Sequence, residues 1–217
     1  KIKVINRGID TKFFDANIND EEKFISFLKK NNIDANKNIV LFPGRLTSWK
    51  GQIEFLNIVQ QFKDYPIVFY FVGDNKNQSY SKKFLNEIKR KDLSKCCRIL
   101  NHLNHNDLKN MYACCNLVIS APLKPEGFGR TVSEALAMKK IVLAYNFGGV
   151  KNQLEKLDSL YKVNPHDYND LKDKIHNVLK LENNTVNNMG EVARKHIIEN
   201  FSKEIMLKSY NNFYLEL

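Results

Sequence analysis

Short apolar runs recur along the chain, each stopped by Gly, Pro or a polar cluster and each followed by apolar residues at helical spacing. Ile39-Val40-Leu41-Phe42 stops at Pro43-Gly44, and the stretch after it places Phe55, Leu56, Val59 and Phe62 on one face. Ile67 to Val72 stops at Gly73-Asp74, and a helical pattern with Phe84 and Ile88 inward covers Ser79 to Lys91. Cys97 to Leu100, Asn116 to Ser120 and Lys140 to Ala144 read as further buried strands. Between and after them, Leu108, Met111 and Tyr112 predict a helix over Asn106 to Cys114. Val132, Ala135, Leu136 and Met138 predict another from Arg130 onward. Alternating strand and helix of this kind predicts an α/β chain with a doubly wound parallel sheet.

The flanks are more mixed. Ile2 and Val4 alternate with Lys and predict a strand-like opening over Lys1 to Asn6, turned by Gly8 and Asp10. Glu21 to Asn32 carries Phe24, Phe27 and Leu28 at helical spacing. Tyr145 to Val150, with Gly148-Gly149, reads as a loop, and Ser159 to Val163 as a last short strand. Asp167 to Leu179, Val186 to Ile198 and Ser202 to Leu217 read as closing helices. The stripe Met206, Tyr210, Phe213 and Tyr214 on the last of them is expected to belong to the core.

Composition narrows the function classes. Of 217 residues, 43% are hydrophobic and 11% aromatic, enough for a folded core. No apolar run reaches the length of a membrane span, and no signal peptide is visible. The opening at Lys1, without Met, reads as a fragment of a longer polypeptide or as the product of processing. The formal charge of +10 is spread over short runs such as Lys82-Lys83 and Lys89-Arg90-Lys91, without aromatics interleaved with Arg. Nucleic acid is therefore not an expected partner. Cys96-Cys97 and Cys114-Cys115 lack metal-finger spacing, so reduced thiols are expected, one of each pair facing the core. His102 and His105, in an Asn-rich loop, do not point to a metal site.

Two loops carry chemistry. Gly44 to Gly51 follows a strand, presents Arg45 and Lys50 and leads into a helix, an arrangement suited to a pyrophosphate. Ala121 to Ala137 runs through Pro122 and Pro125, turns at Gly127 and Gly129, and enters a helix whose first turn suits an oxyanion. Glu126 lies in that loop and Glu134 about two turns into the helix. Beside an anion, carboxylates serve better as acceptors for hydroxyl groups. An anion flanked by hydroxyls describes a sugar nucleotide. No Gly-x-Gly-x-x-Gly opens any unit, which disfavours a nicotinamide dinucleotide.

Glu126-Gly127-Phe128-Gly129 through Glu134 resembles the Glu-x7-Glu signature of retaining glycosyltransferases with the GT-B fold. These form a large group 1 family acting on lipopolysaccharide, exopolysaccharide and glycolipid acceptors. Gly44-Arg45-Leu46 to Lys50-Gly51 is similar to that family's Gly-Arg-Leu…Lys-Gly motif, and Gly73-Asp74 to its strand end near the nucleotide. Gly8 and Asp10 match its linker segment, although Arg7 replaces the usual Asn. Gly148-Gly149 matches a glycine pair near the donor, although Asn152 stands where an acid is usual.

The resemblance implies that residues 1–217 are a C-terminal, donor-binding domain, a Rossmann-like half of a GT-B fold. Residues 1–15 would be linker, 185–217 terminal helices, and an N-terminal acceptor domain would be absent. Glu126, Arg45 and Lys50 would be catalytic. Gly44, Arg45, Lys50, Gly73, Glu126, Gly127, Phe128, Gly129, Arg130, Thr131, Glu134, Gly148 and Gly149 would bind the donor. No metal or cofactor is implied beyond the nucleoside diphosphate sugar, in keeping with the lack of an Asp-x-Asp motif. The setting implied is bacterial cell-envelope polysaccharide or lipopolysaccharide assembly, in the cytoplasm or at the periphery of the inner membrane. Three other readings stay open: a non-catalytic nucleotide module, a sugar-nucleotide epimerase, and a basic binder of anionic surfaces.

Overall fold

A computed structural model describes residues 2–17, 20–74, 76 and 78–216. Lys1 and Leu217, the outermost residues of the predicted opening strand and closing helix, lie outside the described residues. Among the described residues six strands, β1 (Asn38–Pro43), β2 (Ile67–Val72), β3 (Cys97–Leu100), β4 (Leu117–Ser120), β5 (Ile141–Tyr145) and β6 (Lys162–Val163), make one sheet. All pairings are parallel, in the order β3-β2-β1-β4-β5-β6. The nine helices among the described residues are α1 (Glu21–Lys30), α2 (Gln52–Val59), α3 (Gln78–Arg90), α4 (His105–Cys114), α5 (Arg130–Ala137), α6 (Gly148–Leu154), α7 (Tyr168–Val178), α8 (Asn183–Phe201) and α9 (Lys203–Leu215).

This is the doubly wound parallel sheet that the alternating pattern predicts. Every residue of β4 and β5 is buried, as continuous apolar runs covered by helices require. Phe42, Phe55, Phe71 and Phe84 interlock in the core between β1, β2, α2 and α3, with Phe71 and Phe84 edge to face at 4.8 Å. Burying each such ring stabilises by about 2–3 kcal/mol. The chain winds from β1 outward to β3, then returns to place β4 on the other side of β1. A sheet of this order opens a crevice beyond the carboxyl ends of the strands where the winding reverses. That point lies between β1 and β4, whose following loops hold the two motifs.

Helix starts differ in an informative way. Asp20, Asn104, Asp167 and Ser202 cap α1, α4, α7 and α9 with side-chain oxygens. The two helices that follow the motif loops have no such cap. α2 and α5 start at Gly51 and Gly129, both left-handed with φ of 81° and 83° and neither offering a side chain.

Several predicted elements are corrected. Residues 2–8 form no strand; Ile2 and Val4 are exposed, and only Ile9 makes a bridge, to Ser202. Arg194 fastens residues 11–15, donating to the carbonyls of Phe14 (2.8 Å) and Thr11 (3.3 Å) and pairing with Asp15. The loop expected over Tyr145 to Val150 becomes α6 from Gly148 onward. Ser159–Tyr161 is a 3-10 turn capped by Asp158, which leaves only Lys162–Val163 as strand. Cys96, Cys97 and Cys115 are all buried and Cys114 half-buried, so both thiols of the first pair go inward. The turn before β3 explains this, because Cys96 Sγ donates to the Leu93 carbonyl. No residue of α9 is buried, so its aromatic stripe is not core.

Candidate functional site

Beyond the ends of β1, β2 and β4 lies a cleft of about 860 Å³. One wall is the loop after β1, with Gly44, Arg45, Trp49 and Lys50. Opposite it are Pro125 to Gly129 and the start of α5, where Arg130, Thr131 and Glu134 face in. Gly73 and Asp74 close the β2 side, His102 and His105 the β3 side, and the leading segment Val4 to Arg7 crosses the rim. Of the residues singled out in the sequence, Gly44, Arg45, Lys50, Gly73, Glu126 to Thr131 and Glu134 all line this one space. Gly148 and Gly149 do not.

The cation wall is held from below. Gln52, fully buried at the start of α2, donates to the Arg45 carbonyl at 2.9 Å, and its Oε1 accepts from Tyr80 at 3.2 Å. The Gly44 N–H donates to Val72 and the Leu46 N–H to Asp74, which stitches the loop to the end of β2. A Cβ at Gly73 would stand 2.0 Å from the Gly44 carbonyl, so only glycine permits this approach. The Arg45 side chain is exposed and, among the described residues, unpaired. Lys50 differs: its ammonium donates to Glu126 Oε1 and sits 4.7 Å from the centroid of the Trp49 ring.

The opposite wall carries the two carboxylates. Glu126 Oε2 is buried and has no hydrogen-bond partner among the described residues. Glu134 is almost fully buried, accepting from the Tyr112 hydroxyl at 3.1 Å and from Arg130 at 3.2 Å. Burial holds the Glu134 carboxyl above its ordinary range, and the Arg130 charge and Tyr112 hydrogen bond only partly offset this. Gly129 offers no capping side chain, and Arg130 and Thr131, the first two residues of α5, line the cleft, so this helix start suits an anion.

Behind that wall is an arrangement that motif reading overlooks. Gln153, fully buried, donates to the Phe128 carbonyl and accepts from Ser133 Oγ at 2.7 Å, while its own carbonyl meets His196 Nε2 at 3.0 Å. The neighbouring Asn152, at the position of the usual acid, is exposed. Gly148 and Gly149 also serve from behind. The Gly149 N–H donates to the Glu126 carbonyl at 2.8 Å, and a Cβ there would stand 2.2 Å from the Gly127 carbonyl. The signal for both buried amides lies in periodicity: Gln52 precedes Phe55, Leu56 and Val59 on their face of α2, and Gln153 follows Val150 on the inner face of α6.

The arrangement brings two cations, a helix start and two carboxylates to one space; cations and a helix start suit an anion, and carboxylates suit hydroxyl groups. Among the described residues, no group of three or more His, Cys, Asp or Glu is placed to hold a metal ion. None of the described helices is long and apolar enough to cross a membrane.

A family model described as glycosyl transferases group 1 matches residues 22–196. An uncharacterized glycosyltransferase of Methanocaldococcus jannaschii is 27% identical, over 99% of this chain and 54% of that protein. A trehalose synthase of Thermococcus litoralis is 24% identical over 83% of this chain and 45% of its own length. Among solved structures, a glycosyltransferase from Rickettsia africae matches all of this chain and 57% of its own with a TM-score of 0.92 at 30% identity. HepE from Anabaena, solved with UDP and glucose, shares the fold with a TM-score of 0.85 at 23% identity, over 99% of this chain and 57% of its own. The chain thus spans about half the length of the relatives it matches.

Proposed function

The chain belongs to the group 1 glycosyl transferases, and from that premise we propose that its cleft binds a nucleoside diphosphate sugar for retaining transfer of a hexose. The acceptor in this reading is a cell-envelope glycan or lipid. The observation that carries the donor assignment is the meeting of the Arg45–Lys50 loop with Glu126, Glu134 and the uncapped start of α5 at the reversal of strand order. Arg45 and Lys50 hold the diphosphate with the N–H groups of α5. Glu126 takes hydroxyls of the sugar, and Glu134 those of the ribose. As the bond from the anomeric carbon to the diphosphate breaks, its electron pair leaves with the nucleotide, where cations and helix start receive the charge. The acceptor oxygen bonds to the anomeric carbon on the face being vacated, and its proton passes to the departing phosphate. UDP-glucose, bound by HepE in a second structure of the same fold, is a natural first donor to try.

Calorimetric titration with UDP, GDP, ADP and CMP tests the assignment. Saturable binding of one nucleoside diphosphate is expected, weakened about tenfold or more by Arg45→Ala and by Glu134→Ala, the scale of one charge-assisted hydrogen bond. Equal, salt-sensitive binding of any polyanion to all three proteins would instead mark a merely basic surface.

A further inference from the structure

We propose that the Lys50–Glu126 ion pair makes the cleft discriminate between a nucleoside diphosphate that carries a sugar and one that has lost it. The inference rests on the donor reading above. Lys50 and Glu126 come from loops on opposite sides of the strand-order reversal, and their side chains are only 14% and 10% exposed. A pair so shielded is not a solvent-screened surface contact; separating it leaves charge buried without a partner. One half of Glu126 depends on this contact already, since Oε1 accepts from Lys50 while the buried Oε2 accepts from none of the described residues. The cation that a diphosphate needs is therefore committed to a carboxylate before any ligand arrives.

The two ligands meet this pair differently. A bare diphosphate draws Lys50 toward its own oxygens and strands Glu126, shielded and short of donors on both oxygens. A sugar-bearing diphosphate draws Lys50 away too, but its hydroxyls supply donors to Glu126 in the same event, including to Oε2. The cost of opening the pair is thus offset for the donor and not for the nucleotide product. Once the sugar has gone, re-formation of the pair favours release of the nucleotide. Glu126 acts in this scheme as a specificity determinant through Lys50, beside its own contact with the sugar.

The test is a titration of UDP and UDP-glucose into the 217-residue chain and its Glu126→Gln, Lys50→Met and doubly substituted variants, each checked by circular dichroism for native folding. Glu126→Gln is expected to bind UDP about tenfold more tightly and UDP-glucose about tenfold more weakly, shifts of the size of one hydrogen bond to a charged group. The gain for UDP should vanish in the Lys50→Met background, because the cycle then has no pair to open. A gain that persists there would show plain repulsion by the carboxylate, and a Glu126→Gln change that moves both ligands the same way would show a structural role. Either result overturns the inference while leaving the donor site standing. Absence of binding of either ligand by the wild-type chain would sink the donor reading, and this inference with it.

Discussion

Gln153, behind the cleft wall, and Glu134, within it, show what single residues are expected to contribute. Replacing Gln153 by Leu strips the Phe128 carbonyl and Ser133 hydroxyl of their buried partner. Leaving such groups unsatisfied costs about 1–3 kcal/mol each, so a urea midpoint well below the wild-type value is expected. Glu134 should behave oppositely. Its carboxyl is raised above the ordinary value of 4.5, so folding favours the neutral form; that contribution is complete below the ordinary value and is lost as pH rises through the folded one. Ligand-free Glu134→Gln should therefore melt above wild type at about pH 7, with the gap closing toward about pH 4. Equal melting temperatures at both pH values would refute it. Stability gained at Glu134 with nucleotide affinity lost would mark a residue kept for binding. Glu126 and Glu134 are legible as a spaced pair in the sequence, but the identity of Lys50 as the countercharge of Glu126 is not, because Lys50 lies 76 residues away along the chain.

At the scale of elements, α6 is the one that sequence patterning loses. A Gly-Gly pair has poor helix propensity, so Tyr145 to Val150 reads as a loop. What decides in favour of a helix is the close approach of backbone to backbone, which places Gly149 against Glu126 and Gly127. Gly149→Ala is accordingly expected to push the loop that carries Glu126 out of place. About 1–3 kcal/mol of destabilisation, the usual scale of overpacking, should accompany weakened UDP-glucose binding. Unchanged denaturation and binding would show that the loop can give way. Four of the strands, β1, β2, β4 and β5, are legible because they are continuous apolar runs ended by Gly, Pro or polar residues, a pattern that survives without knowledge of neighbours. β6 reads too long because Ser159 to Tyr161 owe their 3-10 turn to the Asp158 side chain, a local cap. The opening segment and α9 mislead for the opposite reason: alternation and an aromatic stripe indicate a face to be covered, not its cover.

For the molecule as a whole, the match to about half the length of its relatives bears on what the chain can do by itself. The 217 residues are expected to bind nucleotide without transferring sugar, whereas a longer polypeptide containing them should release UDP from UDP-glucose when given an acceptor. Transfer by the 217 residues alone would refute this division of labour. The leading segment gives that expectation a mechanical form. The Ile9 N–H bonds to Phe201, the Lys203 N–H bonds to Ile9, and a Cβ on Gly8 would meet the Ser202 carbonyl at 2.4 Å, so the segment is riveted at the corner between α8 and α9. Ahead of the rivet, Val4 to Arg7 form part of the cleft rim without any strand to fix them. A pull on this segment meets the α8–α9 corner first, because residues 2–9 pair with none of the six sheet strands. Both facing walls of the cleft are thus cast into the sheet, while its rim is hung on a short lever whose fulcrum is Ile9.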